Sequence, residues 1–182
     1  MSAASSEPDA FPIARRGPKF VECSLLYVSR STIPRDRLGV EIAGIVAASI
    51  KNNARADITG GLVRAGGYFA QLLEGPTDAV KALMARIDRD RRHADVSVVR
   101  IAASGERQLP DWSMVYSGEA TYVARQIAAL LGPGHAAEPA RIDRLTALIV
   151  SFASYDRVAR GRAAIGQSIT PPANKVHQTT TG

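Results

Sequence analysis

The sequence predicts an α+β sandwich of order β-α-β-β-α-β-β, with a five-stranded mixed sheet and further helices behind it. Three observations predict it. Short stretches alternate apolar and polar residues with the two-residue period of strands, as in residues 20–29. Between them lie stretches with a helical stripe, as in Leu38, Ile42, Ile45 and Ser49. Breaks such as Ala65-Gly66-Gly67 and Gly75-Pro76-Thr77 separate the two kinds of element.

Residues 1–19 are polar, carry Pro8, Pro12 and Pro18 among small residues, and are expected to be disordered. In the first strand, residues 20–29, Val21, Cys23, Leu25 and Tyr27 share one face, and Phe20, Glu22, Ser24 and Leu26 the other. Pro34 precedes a helix over 37–52, whose stripe Asn53 continues at its end. Strands over 57–64 and 68–73 flank the glycine hairpin, and Phe69, Gln71 and Leu73 share a face of the second. Thr77 is the expected cap of the next helix, with Asp78 in its first turn and Val80, Leu83, Met84 and Ile87 on one side. Strands over 95–103 and 112–116 complete a ferredoxin-like arrangement with an added strand. Beyond Gly118, amphipathic helices are expected over 122–131 and 139–152, separated by Gly132-Pro133-Gly134. Ile142, Leu145, Ile149 and Phe152 form the apolar stripe of the second. The chain thus divides into a disordered segment 1–19, a domain 20–118, a helical extension 119–161 and a flexible tail 162–182.

Composition excludes several classes. At 46% hydrophobic and 22% charged residues the chain reads as a globular protein. No apolar run is long enough to span a bilayer, and the first twenty residues lack the apolar centre of a secretory signal. The lone Cys23 fits a reducing cytoplasm. The net charge of +6 is spread among acidic residues, as in Asp88-Arg89-Asp90-Arg91-Arg92, and aromatics are only 5%, so nucleic acid is not the expected partner. His93, His135 and His177 show no metal-ligand spacing, no glycine-rich phosphate loop is present, and no Ser-His-Asp set is identifiable. No enzymatic activity is therefore expected.

The informative stretch runs from Asn52 to Gly75. It places two side-chain amides, Asn53 and Gln71, across a helix end, a strand and a hairpin, flanked by apolar strand residues. Each amide both donates and accepts hydrogen bonds. A pair of them suits a planar ligand whose edge mixes carbonyls and ring nitrogens, as a flavin's does. A buried glutamine left unsatisfied costs about 1–3 kcal/mol, so Gln71 must have a partner. Taken singly, the other candidates have plainer readings. Tyr27 is a core tyrosine, Ile45 and Ile87 are core aliphatics, and Arg86, Asp90, Arg92 and His93 are a solvated cluster at a helix end.

Residues 20–118 resemble a BLUF domain, the flavin-binding blue-light sensor module. The resemblance rests on five pieces in order: LLYVS around Tyr27, NNARADITG, FAQLLEG, RIDRDRRH and LPDWSM. It implies a flavin, FAD, lying between the two helices on one face of the sheet. By position it makes Tyr27 the photochemical electron and proton donor and Gln71 the switching amide beside the flavin's N5 and C4 carbonyl. Asn53 becomes the amide holding the C4 carbonyl and N3 side, with Asn52 and Ser49 as neighbouring contacts. Ile45 and Ile87 become clamps on the ring faces, and Arg86, Asp90 and Arg92 contacts to the ribityl and phosphate end. Trp112 and Met114 match the strand-five pair that carries the signal. The sequence departs from the family at Leu109, where an aromatic is common, and at Gly61, Arg64 and Ala70, which replace bulkier apolar residues.

The implied function is a stand-alone blue-light photoreceptor that signals to a partner protein or through a homo-oligomer. The exposed sheet face and the C-terminal helices are the expected interface. The alternatives are a light-insensitive interaction adaptor of the same fold and a nucleic-acid binder driven by the net charge.

Overall fold

The computed structural model describes residues 23–103, 105–110, 112–131 and 138–164, with the backbone alone at 112–117 and 156–164. The expected disordered segment 1–19, the Gly132-Pro133-Gly134 break, His135, His177 and the tail from residue 165 onward lie outside the described residues.

The chain is α+β. Its strands are β1 (Cys23–Ser31), β2 (Thr59–Ala65), β3 (Tyr68–Gly75), β4 (His93–Ala103) and β5 (Trp112–Gly118). Its helices are α1 (Leu38–Arg55), α2 (Thr77–Ile87), α3 (Thr121–Ala128) and α4 (Pro139–Ala164). The sheet order is β4-β1-β3-β2-β5. The first four strands pair antiparallel, and β5 lies parallel to β2.

The turns explain the register. Gly66 takes a left-handed φ of 56° in the β2–β3 turn, so Ala65 pairs with Tyr68, and Leu62 comes opposite Gln71. Gly60 admits no side chain, because a Cβ there would stand 2.0 Å from the Leu72 carbonyl oxygen. At the end of α1, Asp57 adopts the left-handed conformation, with φ 55°, and the Ile58 amide donates to the Asn53 carbonyl at 2.9 Å. This closure ends the helix and holds Asn53 in its last turn.

Several sequence expectations change. Thr77 is the first residue of α2, and Pro76 rather than Thr77 occupies the cap, its fixed φ leading into the helix. Helix α4 runs past Phe152 to Ala164, three residues into the expected tail, because the Ala- and Arg-rich stretch there favours helix. The sheet face expected to be exposed is covered. Leu26, Val28, Val63, Ala65, Ala70 and Leu72 pack against Val123, Ile127, Leu145 and Ile149 of α3 and α4 in the largest apolar cluster. An uncovered apolar face of that extent would forfeit its burial, worth about 25 cal/mol per Å2. Leu109 joins the same cluster. Arg64 is buried with its Nε unpartnered and one terminal nitrogen 3.5 Å from Glu119, so the departure at this position places a cation inside the protein.

Candidate functional site

The opposite face of the sheet, under α1 and α2, differs in kind. Alternate residues of β1 and β3 point there: Cys23, Leu25, Tyr27 and Ser29 on one strand, Phe69, Gln71 and Leu73 on the other. Tyr27 and Gln71 are direct cross-strand neighbours, so their side chains meet without further adjustment. The Tyr27 hydroxyl, 1% exposed, donates to Gln71 Oε1 at 2.6 Å.

Between this face and the two helices lies a cavity of about 180 Å3 that opens to solvent. All ten residues expected to contact the ligand line it: Tyr27, Ile45, Ser49, Asn52, Asn53, Gln71, Arg86, Ile87, Asp90 and Arg92. Helix α1 supplies Ile45, Ser49, Asn52 and Asn53 along one stripe. The end of α2 and the turn after it supply Arg86, Ile87, Asp90 and Arg92. The backbones of Trp112 and Met114 pair with Gly60 and Leu62, whereas their side chains lie outside the described residues. The row Tyr27, Gln71, Leu62, Met114 therefore crosses four adjacent strands in register.

Four further lining residues, Ala48, Leu62, Leu83 and His93, were not among the expected contacts. The hairpin register could have placed Leu62, since a two-glycine turn sets it opposite Gln71. Leu83 lies one turn before Ile87. His93 carries no periodic signal, because it opens β4 directly after a turn.

The site is polar in an unusual way. Asn53 is 2% exposed, and its Nδ2 has no hydrogen-bond partner. A buried donor left in this state costs about 1–3 kcal/mol, and it lies in a residue that lines the cavity. Burial raises the Tyr27 hydroxyl well above its ordinary pKa, and the nearby Asp90 charge adds to the effect; the phenol is protonated. His93 Nδ1 lies 2.8 Å from Ser29 Oγ, and its ring centroid is 4.6 Å from that of Phe69. Burial lowers its pKa to about 4, so the imidazole is neutral. Arg92 grips Asp90 through bonds of 2.9, 3.1 and 2.5 Å and reaches Glu41 at 3.6 Å. The Arg92 hydrogen bond holds the Asp90 carboxyl below its usual range. Among the described residues no group of three or more His, Cys, Asp or Glu could hold a metal ion, and no helix is long and apolar enough to cross a membrane.

Comparison with known proteins decides the family. The sequence profile described as sensors of blue-light using FAD matches residues 23–115, just over half of the chain. The chain belongs to the BLUF family. Its cofactor is FAD and its function the sensing of blue light. Curated relatives of this BLUF protein include photoactivated adenylate cyclase subunit beta of Euglena gracilis, 40% identical over 97 residues. Another is subunit alpha of the same organism, 39% identical over 84 residues. Those matches cover 53% and 46% of the chain but only 11% and 8% of the relatives, so the chain spans about a tenth of their length. Among solved structures, the dark state of BlrB, a BLUF protein, aligns with TM-score 0.58 and 27% identity, covering 74% of this chain and 98% of that one. BlsA in its photo-activated state, at 21% identity and TM-score 0.58, shares the fold.

The residues present suit FAD. The unpartnered Asn53 amide is a donor awaiting an acceptor such as a ring carbonyl, Ile45, Leu62 and Ile87 offer apolar walls, and Arg86 and Arg92 bring cations for an anionic end.

Proposed function

We propose that this cavity holds FAD and that Tyr27 and Gln71 are its photoactive pair. When bound, FAD supplies absorption of blue light and an excited state strong enough to draw an electron from a phenol. Asn53, with Asn52 and Ser49 as neighbouring contacts, holds the ring edge, Ile45 and Ile87 clamp its faces, and Arg86, Asp90 and Arg92 contact the ribityl and phosphate end.

The observation that carries this reading is the Tyr27–Gln71 hydrogen bond beside an unsatisfied Asn53 amide. Loss of an electron makes a phenol strongly acidic, and the acceptor already in place for its proton is Gln71 Oε1. Gln71 then exchanges donor and acceptor ends by rotation or tautomerisation, and return of the electron and the proton restores the phenol of Tyr27 and leaves the cofactor oxidised. A net hydrogen bond contributes only about 1 kcal/mol, so two arrangements of the amide lie close in energy, as a reversible switch requires.

The change in Gln71 passes to β5, reaching Met114 across the in-register row through Leu62 and also Trp112 at the start of the strand, and from there to α3 and α4. The chain carries no catalytic activity of its own. It acts in the cytoplasm through a partner protein or a change of homo-oligomeric assembly, with α3 and α4, rather than the sheet they cover, as the output surface.

The test is an absorption spectrum of the purified protein before and after blue light, followed in the dark. A flavin spectrum that shifts to longer wavelength and recovers is expected, with the shift lost in Tyr27→Phe and Gln71→Leu. Bound FAD without any shift would leave a light-insensitive adaptor, and a colourless protein that refuses added FAD would sink the assignment of the cavity.

A further inference from the structure

The segment between β4 and β5 is held by two buried ionic side chains that the cavity does not use. Glu74, 1% exposed, is on the sheet face that α3 and α4 cover. Its two oxygens accept from consecutive backbone amides of that segment, Gln108 N–H at 3.1 Å and Leu109 N–H at 2.9 Å. The Arg107 side chain, 7% exposed, donates to Thr59 Oγ1 at 2.9 Å and to the Asp57 carbonyl at 2.8 Å, and lies 3.2 Å from the Asp57 carboxylate. Leu109 is buried in the core beneath α3 and α4. Three consecutive residues are thus fastened at three points.

The anchor points belong to the same elements as the two cavity amides. Glu74 follows Gln71 by three residues on β3, and Asp57 follows Asn53 in the turn that the Ile58–Asn53 backbone bond closes. Three residues beyond Leu109, β5 begins with Trp112. Burying a carboxylate costs desolvation that its bonds at best offset, so an apolar residue packed against Leu109 would stabilise the fold at least as well. What the carboxylate adds is direction: two charge-assisted bonds to successive amides fix where the backbone runs.

We propose that Glu74 and Arg107 form a latch that makes the start of β5 follow movements of β3 and of the α1–β2 turn, so that a change at Gln71 and Asn53 reaches Trp112. Both are positioning residues, since neither lines the cavity. The inference rests on the proposed photoresponse.

Trp112 is the single tryptophan of the chain, so full-length protein grown with 5-fluorotryptophan shows one 19F resonance. That resonance is recorded in the dark and under blue light, beside the flavin absorption of the same sample. In Glu74→Gln the amide nitrogen would face a backbone donor, and in Arg107→Met the fork is removed. Arg107→Lys keeps the charge opposite Asp57 without the fork and guards against a variant that fails to fold.

The expected result is a light-driven 19F shift in the parent chain that is lost in Glu74→Gln and Arg107→Met and partly restored in Arg107→Lys. The flavin red shift keeps its full size in all three. A merely structural role would not separate the two signals. A 19F shift of parental size in every variant overturns the latch, as does a resonance that ignores light while the flavin responds. If the parent's flavin itself shows no red shift, the photoresponse reading fails first and the latch falls with it.

Discussion

The two faces of one sheet are built from alternate residues of the same strands and differ in what dominates each. On the α3/α4 face, Leu26 and Val28 of β1 and Ala70 and Leu72 of β3 meet helix residues in a closed apolar core. One position away on each strand, Tyr27 and Gln71 face an open cavity with a buried amide donor left unpartnered. The apolar cluster there is divided into two smaller groups, around Leu73 and around Phe69, on either side of the polar residues. The lesson is one of division of labour: the closed face holds the fold together, and the open face can therefore carry polar groups in unfinished arrangements. The strand's period of two is what permits this, since a change on one face leaves the other's contacts in place.

The comparison can be broken most decisively at Tyr27. Tyr27→Phe should abolish the light-induced red shift while a thermal melt of the FAD-loaded protein stays close to the parent; a retained shift would remove the open face's special status. On the closed face Leu145→Ala, at a fully buried position, should cost about 2–5 kcal/mol in a urea titration. Any protein still folded should keep its flavin spectrum and its red shift. An altered spectrum would mean that the faces are not independent.

Acid should act on the open face through His93. His93 is held neutral, with a pKa of about 4 against an ordinary 6.5, because burial disfavours its charged form. As pH falls, the unfolded chain takes up this proton before the folded one does. Stability from this source is complete above about pH 6.5 and declines between there and about pH 4. The loss should be on the order of 3 kcal/mol. Urea midpoints across that window should fall in the parent and flatten in His93→Gln; equal slopes would place the acid sensitivity elsewhere.

The smallest effect on stability is expected at Asn53. Its amide donor has no partner to lose and its unsatisfied burial already costs the fold, so Asn53→Ala should leave the urea midpoint of flavin-free protein unchanged or raised. FAD affinity should nevertheless fall by about tenfold, as for one lost hydrogen bond of about 1 kcal/mol or slightly more. Fluorescence titration with FAD reads this directly, and an unchanged affinity would take Asn53 out of the site.

Much of the site was legible because its signals are local or periodic. Strand parity puts Tyr27 and Gln71 on definite faces and a helical stripe aligns Ile45, Ser49 and Asn53. Their roles, and the choice of Asn52, Arg86, Ile87, Asp90 and Arg92, came from the resemblance to the BLUF family. The ten expected contacts line one cavity, and the strand and helix periods survive folding where they align Tyr27, Gln71, Ile45, Ser49 and Asn53. What was missed depends on distant contacts. Leu26 and Leu72 look the same from sequence whether exposed to a partner or covered by the chain's own helices, and only the packing of α3 and α4 decides. Glu74, in the LLEG stretch, reads as an ordinary charge at a strand end.

By itself, then, the sequence determined the order of elements, the sidedness of each strand and the residue types available to each face, because backbone geometry imposes periods of 2 and 3.6 on any chain. The tertiary structure alone decided three things. It decided that Tyr27 and Gln71 share a hydrogen bond, that the Asn53 donor goes unmatched, and that Glu74 is buried against the Gln108 and Leu109 amides. The first and third depend on residues far apart in the chain arriving within about 3 Å of one another and the second on none arriving, and no local period encodes such a distance.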